Sequence, residues 1–184
     1  LNFVRTSKTH PLKIAEVQAS LQHGRIGITF CPGKHDLNAA TGAWQRDLGL
    51  DLDEIKKWGA SLILTLVEKE ELEQLHVTDL GAGVEARGME WLHLPIRDAS
   101  VPSALFEKSW LTHGERIRHL LRDGSHIVVH CKGGQGRAGM IAARLLAELG
   151  MAPDEAMRLV RSKREGAIET RAQEDVVRGA KPIA

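Results

Sequence analysis

Two kinds of hydrophobic spacing alternate along the chain. Short continuous apolar runs have the length of buried strands: "RIGITF" (Arg25–Phe30), "SLILTLV" (Ser61–Val67), "EWLHLPI" (Glu90–Ile96) and "HIVVH" (His126–His130). Between them, apolar residues recur every three or four positions, the spacing of amphipathic helices. "DLDEIKKWG" reads as a short helix with Asp51 as N-cap and Gly59 as the stop. "EKEELEQLH" reads as another, and "VTDLGAGVEARG" as a third that ends at Gly88. A long helix runs from about Ser103 to Arg122, closed by Asp123 and Gly124, and a further one follows from Gly139. Two more begin near Pro153 and Thr170, a proline in the first turn marking the former. Strands alternating with helices predict an α/β fold: a central, mainly parallel sheet of four to five strands flanked by helices. Such sheets bind ligands at the carboxyl ends of their strands. Cys131 closes one strand and Asp98 follows another, which places both at that edge.

Composition narrows the classes. A chain of 184 residues is long enough for one domain with a proper core and short for two, so residues 1–184 read as a single domain. The formal net charge of +1 gives no global attraction to nucleic acid or an anionic membrane, so any affinity for anions is local. No apolar run is long enough for a transmembrane helix, and the opening "LNFVRTSKTHPLKI" has no signal-peptide core. Two cysteines, Cys31 and Cys131, make no disulfide framework, which predicts a reducing, cytoplasmic setting. The nine histidines form no C-x-x-C or H-E-x-x-H pattern, so no metal and no cofactor is expected.

The chemistry is concentrated in "HCKGGQGRAG", between the last strand and the helix after it. "GQGRAG" satisfies the dinucleotide pattern G-x-G-x-x-G, and Asp154 lies about twenty residues beyond Gly134. That acid should close a strand, yet "APDEAMRLVRSKR" has helical spacing, and too little chain remains for the other half of a nucleotide fold. A Walker A loop needs Lys and then Ser or Thr, and Met140 follows Gly139 here. The remaining reading makes the cysteine and the arginine the purpose of the loop. Glycines let successive backbone N–H groups turn inward at a helix N-terminus, forming an anion nest. A thiol at its floor, beside a guanidinium, is in surroundings that favour the thiolate. The same nest holds a phosphoryl group, and Arg137 can grip two of its oxygens in a planar fork.

These residues resemble the C-x5-R signature of the protein tyrosine and dual-specificity phosphatase superfamily. The chain is most similar to cyclin-dependent-kinase-associated phosphatases and their small bacterial relatives. "FCPGK", "LHLPIRDASVP" and "REGAIETRAQE" carry the resemblance beyond the loop, giving a catalytic core of about residues 24–178. The resemblance implies a phosphocysteine intermediate, no metal, and hydrolysis of a phosphomonoester. Its substrate would be a phosphoprotein bearing phosphotyrosine, or also phosphoserine and phosphothreonine. A phosphoinositide is the alternative, because a lysine after the nucleophile also occurs in phosphoinositide-directed members.

Each role has a plainer competitor. Cys131 reads as the nucleophile rather than a small buried hydrophobe, because the loop follows it directly. Arg137 binds the phosphoryl oxygens; as a solvated first-turn cation it would oppose the helix dipole. Asp98 is the expected general acid, against an ordinary turn aspartate. Lys132, Gly133, Gly134, Gln135 and Gly136 complete the phosphate cradle with Arg137, although a merely solvated Lys132 explains that residue as well. His130 either tunes the thiolate or is a plain buried histidine. Gln173 matches the superfamily's water-positioning glutamine, while "TRAQ" is also a capping box, the reading preferred here. Lys34 and Asp36 fit a pocket rim or a surface turn equally. Ala138 departs from the superfamily, where Ser or Thr is usual. With no tyrosine and few aromatic residues, a shallow pocket with loose selectivity is expected. Two rivals stand outside this reading: a phosphate-binding module without turnover, and sulfur transfer, in which Asp98 has no duty.

Overall fold

The computed structural model describes residues 3–40 and 42–184, so residues 1, 2 and 41 of the expected single domain lie outside the description. Five strands form one sheet in the order β1 (Ala15–Val17), β2 (Ile26–Thr29), β7 (His126–His130), β5 (Ala60–Thr65), β6 (Glu90–His93). β1 joins antiparallel to β2, and every other pairing is parallel. The four expected strands are there, and β1 is the edge strand that the hydrophobic pattern did not announce. A two-residue pair, β3 (His35–Asp36) with β4 (Trp44–Gln45), forms a separate small ribbon. The helices are α1 (Leu48–Trp58), α2 (Lys69–Gln74), α3 (Leu80–Ala86), α4 (Ala104–Arg122), α5 (Gly136–Glu148), α6 (Pro153–Lys163) and α7 (Arg171–Arg178).

The central position of β7 follows from its sequence. Ile127, Val128 and Val129 are all completely buried, and both edges of the strand are paired, to β2 and to β5. Burying each such side chain contributes roughly 1.5–3 kcal/mol, so an uninterrupted β-branched run belongs in the middle of a covered sheet. The parallel register then aligns Thr29, His130, Thr65 and His93 in one row at the carboxyl edge. That polar row is the floor beneath Cys131.

Two boundaries differ from the sequence reading. Asp51 is not the N-cap of α1: Asp47 is, its Oδ1 accepting from Leu50 N at 2.8 Å. Asp51 is instead buried, accepting from Arg46 Nε at 2.8 Å, from Arg46 Nη2 at 2.9 Å and from Gly33 N at 2.8 Å. This pair pins the turn after β2 to the small ribbon. Gly59 does stop α1, in the left-handed conformation at φ 109°. The second difference is α5, which starts at Gly136 rather than Gly139 and is buried along nearly its whole length.

Candidate active site

The loop between β7 and α5 carries Cys131 at its start and Arg137 in the first helical turn. Its shape depends on two glycines. Gly134 adopts φ +71°, and a Cβ there would lie 2.5 Å from the Thr29 carbonyl carbon. At Gly136 a Cβ would lie 2.8 Å from Glu169 Oε2 and 3.2 Å from Gln173 Oε1. Only a backbone without side chains passes between β2 and the segment before α7. The first N–H groups of α5 have no acceptors within the helix and so are available to an anion.

Arg137 is almost entirely buried, at 2% exposure. Its Nη1 and Nη2 donate to the two carboxylate oxygens of Glu71 at 2.7 and 2.8 Å, and Nη1 also donates to Ile96 O at 2.9 Å. Glu71 lies on α2, and nothing in the acidic run "EKEELEQ" marked it. It resolves the conflict of a cation at a helix N-terminus by supplying a carboxylate from within the chain. Burial alone would raise the Glu71 carboxyl, but hydrogen bonds from Arg137 and from Glu68 N outweigh it and hold the group below its ordinary range.

Asp98 reaches the same arginine, its Oδ1 3.3 Å from Arg137 Nη2. It is 70% exposed at the side chain, on a loop where Ala99 takes a strained φ of 55° and donates its N–H to Asp98 Oδ1. Gln173 forms the capping box of α7 with Thr170, as preferred from the sequence. It also donates from Nε2 to Ser100 O at 3.0 Å, which ties the loop bearing Asp98 to α7.

His130 is fully buried below the cysteine. Its Nδ1 lies 3.1 Å from Cys131 O and its Nε2 2.7 Å from Thr65 Oγ1, which accepts from Trp91 Nε1 at 2.8 Å. A carbonyl only accepts and an indole N–H only donates, so the proton sits on Nδ1 and Nε2 accepts from the threonine. Burial pushes the imidazole down to about 4, so it is neutral at physiological pH. The residue positions the Cys131 carbonyl and carries no charge to the thiol.

The remaining candidates divide. Lys132 Nζ lies 3.7 Å from Asp36 Oδ2 at the rim. Gln135 donates from Nε2 to Glu165 O at 3.3 Å, bracing the loop before α7. Lys34 is no surface turn: it is buried, with Nζ 3.3 Å from Lys132 O. Arg164, which the sequence reading passed over, donates to Gly134 O at 3.0 Å and Gly133 O at 2.8 Å and so holds the glycine loop from outside. Both cysteines are free thiols. Cys31 is fully buried, donates to Pro32 O at 3.7 Å, and burial raises its thiol well above the ordinary range. Cys131 is 3% exposed, and Ala138, completely buried, presents a methyl group one residue beyond Arg137.

The chain is similar to known proteins. Human protein tyrosine phosphatase type IVA 3 is 29% identical over 157 residues, 85% of this chain and 79% of that protein. Human cyclin-dependent kinase inhibitor 3 is 30% identical over 129 residues, 68% of this chain and 59% of that protein. The crystal structure of kinase associated phosphatase with its catalytic-site cysteine replaced by serine superposes with a TM-score of 0.78. It is 25% identical, over 91% of this chain and 92% of that one. The family described as PTP-SAK, the Swiss Army Knife protein DSP-PTPase phosphatase domain, matches residues 45–177. With a parallel sheet ending on Cys131 and an arginine-bearing glycine loop above it, the chain belongs to the DSP-PTPase phosphatase family.

Proposed function

We propose that the chain hydrolyses phosphomonoesters through a phosphocysteine intermediate, as a protein phosphatase of the tyrosine or dual-specificity type. The observation that carries this reading is the meeting of Cys131, Arg137 and Asp98 at one sheet edge, with Asp98 3.3 Å from the guanidinium. A phosphoryl group seated on the first N–H groups of α5 would face Cys131 Sγ below and Arg137 beside it. Sulfur attacks phosphorus, the S–P bond forms, and the P–O bond to the leaving alcohol breaks as Asp98 gives that oxygen its proton. Water then attacks phosphorus, Asp98 takes its proton, and the S–P bond breaks to return the thiolate and inorganic phosphate. Stabilisation of the three equatorial oxygens by backbone N–H groups and Arg137 is the main electrostatic contribution. Gln173 acts on this scheme only by holding Ser100, and so the acid's loop.

Phosphotyrosine in proteins is the proposed substrate, on the strength of the relatives' names, and phosphoserine and phosphothreonine are added by the DSP-PTPase family match and an exposed Asp98 open to a large leaving group. A substrate rich in phosphate is the second reading, favoured by a basic cavity beside the loop. The two unpaired cysteines fit a reducing, cytoplasmic setting. The deciding assay uses a small aryl phosphate with a chelator present. Turnover that disappears in Cys131→Ser, while phosphate binding persists, agrees with the scheme. Chelator-sensitive turnover, or activity in Cys131→Ser within tenfold of the parent, overturns it.

A further inference from the structure

A cavity of about 360 Å³ lies beside the phosphate loop, opening at Gly133 and Gln135. Its walls come from chain segments far apart in sequence: Arg5, Lys13, Phe30, Lys34, Trp44 and Arg164. Lysines and arginines supply four of these residues, and no carboxylate lines the cavity. The chain as a whole is nearly balanced, with 25 basic and 24 acidic residues. The one-sided charge is therefore a property of this place.

Like charges gathered in a partly enclosed space repel one another unless something holds them. Two devices do so. The Arg5 guanidinium carbon sits 3.7 Å above the Trp44 ring, and Lys34 Nζ lies 4.7 Å from the Phe30 ring centroid and 5.4 Å from that of Trp44. Arg164 is fastened to Gly133 O and Gly134 O. Lys34 is the deepest of them, at 5% exposure. Among the described residues its ammonium donates to a single acceptor, Lys132 O, although it carries three N–H groups. Burial pulls it down to about 8, and an anion in the cavity would oppose that effect.

We propose that this cavity binds a second phosphoryl group of the substrate, and that the substrate is a small, soluble, polyphosphorylated molecule. This rests on the phosphomonoester-hydrolysis scheme above and takes its second reading, a phosphate-rich substrate, in place of a phosphoprotein. The reacting phosphate occupies the loop from Cys131 to Arg137, and its neighbour enters between Lys34, Lys13 and Arg164. The second phosphate undergoes no chemistry and leaves on the product. Volume and enclosure favour a small molecule, since small-ligand sites are concave and of about 300–1,000 Å³. A protein partner would instead be met by a broad, flatter contact.

The test compares inositol monophosphate with a vicinal inositol bisphosphate, and a singly with a doubly phosphorylated tyrosyl peptide. Parent and Lys13→Glu are used, because Lys13 is exposed and its reversal leaves the core intact. The parent should favour the inositol bisphosphate by about tenfold or more in kcat/KM, expressed in KM, one charge-assisted contact being sufficient for such a factor. Lys13→Glu should bring the two inositol substrates to within about twofold. Equal rates on mono- and bisphosphate in the parent, or a preference confined to the peptides, overturn the proposal. Calorimetric binding of inositol bisphosphate to Cys131→Ser keeps the two questions separate. Lys13-dependent binding without any turnover in the parent would sink the phosphatase reading and leave the cavity's role standing. Binding indifferent to Lys13 would do the reverse.

Discussion

Glu71 and Arg137, 66 positions apart, meet in a two-pronged ion pair at 2.7 and 2.8 Å inside the candidate site. The arginine that would hold a phosphoryl group is thus already fixed in its plane by an acid from α2. Breaking one side of a buried pair is costly because the remaining charge loses its partner. Glu71→Ala should lower kcat/KM on an aryl phosphate by about tenfold to a hundredfold, as Arg137 loses its orientation. Glu70→Ala, exposed on the same helix, should change it by less than about twofold. Steady-state kinetics of both variants decide; equal effects would mean that Glu71 matters only for folding.

Asp98 makes its nearest charged contact with Arg137 and is otherwise open to solvent. Alcohol leaving groups need a proton, while activated aryl groups do not. Asp98→Asn should slow alkyl phosphates by roughly a hundredfold or more and activated aryl phosphates far less. Rates on a series of leaving groups of graded acidity report this as a steeper dependence in the variant. A uniform loss across the series would assign Asp98 to the loop's structure.

His130 gives a pH dependence with a definite sign. Its imidazole titrates near 4 in the folded chain against 6.5 ordinarily, because burial disfavours the cation. The unfolded chain therefore binds the extra proton between those values, and stability falls as pH drops from 6.5 towards 4. The full difference is on the order of 3 kcal/mol. His130→Gln keeps a donor for Cys131 O and an acceptor for Thr65 without titrating. Urea unfolding of both proteins at pH values across this window should show the parent losing more stability than the variant. Parallel curves would contradict the assignment.

Ala138 bears on the second chemical step of the proposed scheme. There, as the S–P bond breaks, charge grows on sulfur, and a hydroxyl one residue beyond Arg137 could donate to it. Such a bond to a charged group is worth on the order of 1.5–3 kcal/mol, or about ten- to a hundredfold in rate. Ala138 has only its buried methyl to offer. Rapid quench on an activated aryl phosphate should show a burst followed by slower turnover, and Ala138→Ser should raise the steady rate more than the burst. With neither effect, another group serves the leaving sulfur.

Local patterns in the sequence determined much of this protein. Short stretches rich in apolar residues specified β2, β5, β6 and β7, and the spacing of apolar residues specified the helices, because such patterns are a property of neighbouring residues. Cys131, the glycines and Arg137 were legible for the same reason: they stand within seven residues of one another, between a strand and a helix. Tertiary structure decided everything that depends on segments meeting. β1 is only three residues long, too short for a pattern to announce it, and it becomes a strand by completing the edge of β2. Asp51 had the position of a helix cap, but Arg46 and Gly33 N, brought together by the fold, bind it more fully than a helix end could. Glu71 was one acid in an acidic helix until the sheet carried α2 to the carboxyl end of β7. The helix starts at Gly136, where Glu169 and Gln173 pass too close for any side chain, and no local rule records such a neighbour. Lys13, Lys34 and Arg164 are unremarkable one by one; convergence around a single cavity gives them a common charge, and convergence is a property of the folded chain alone.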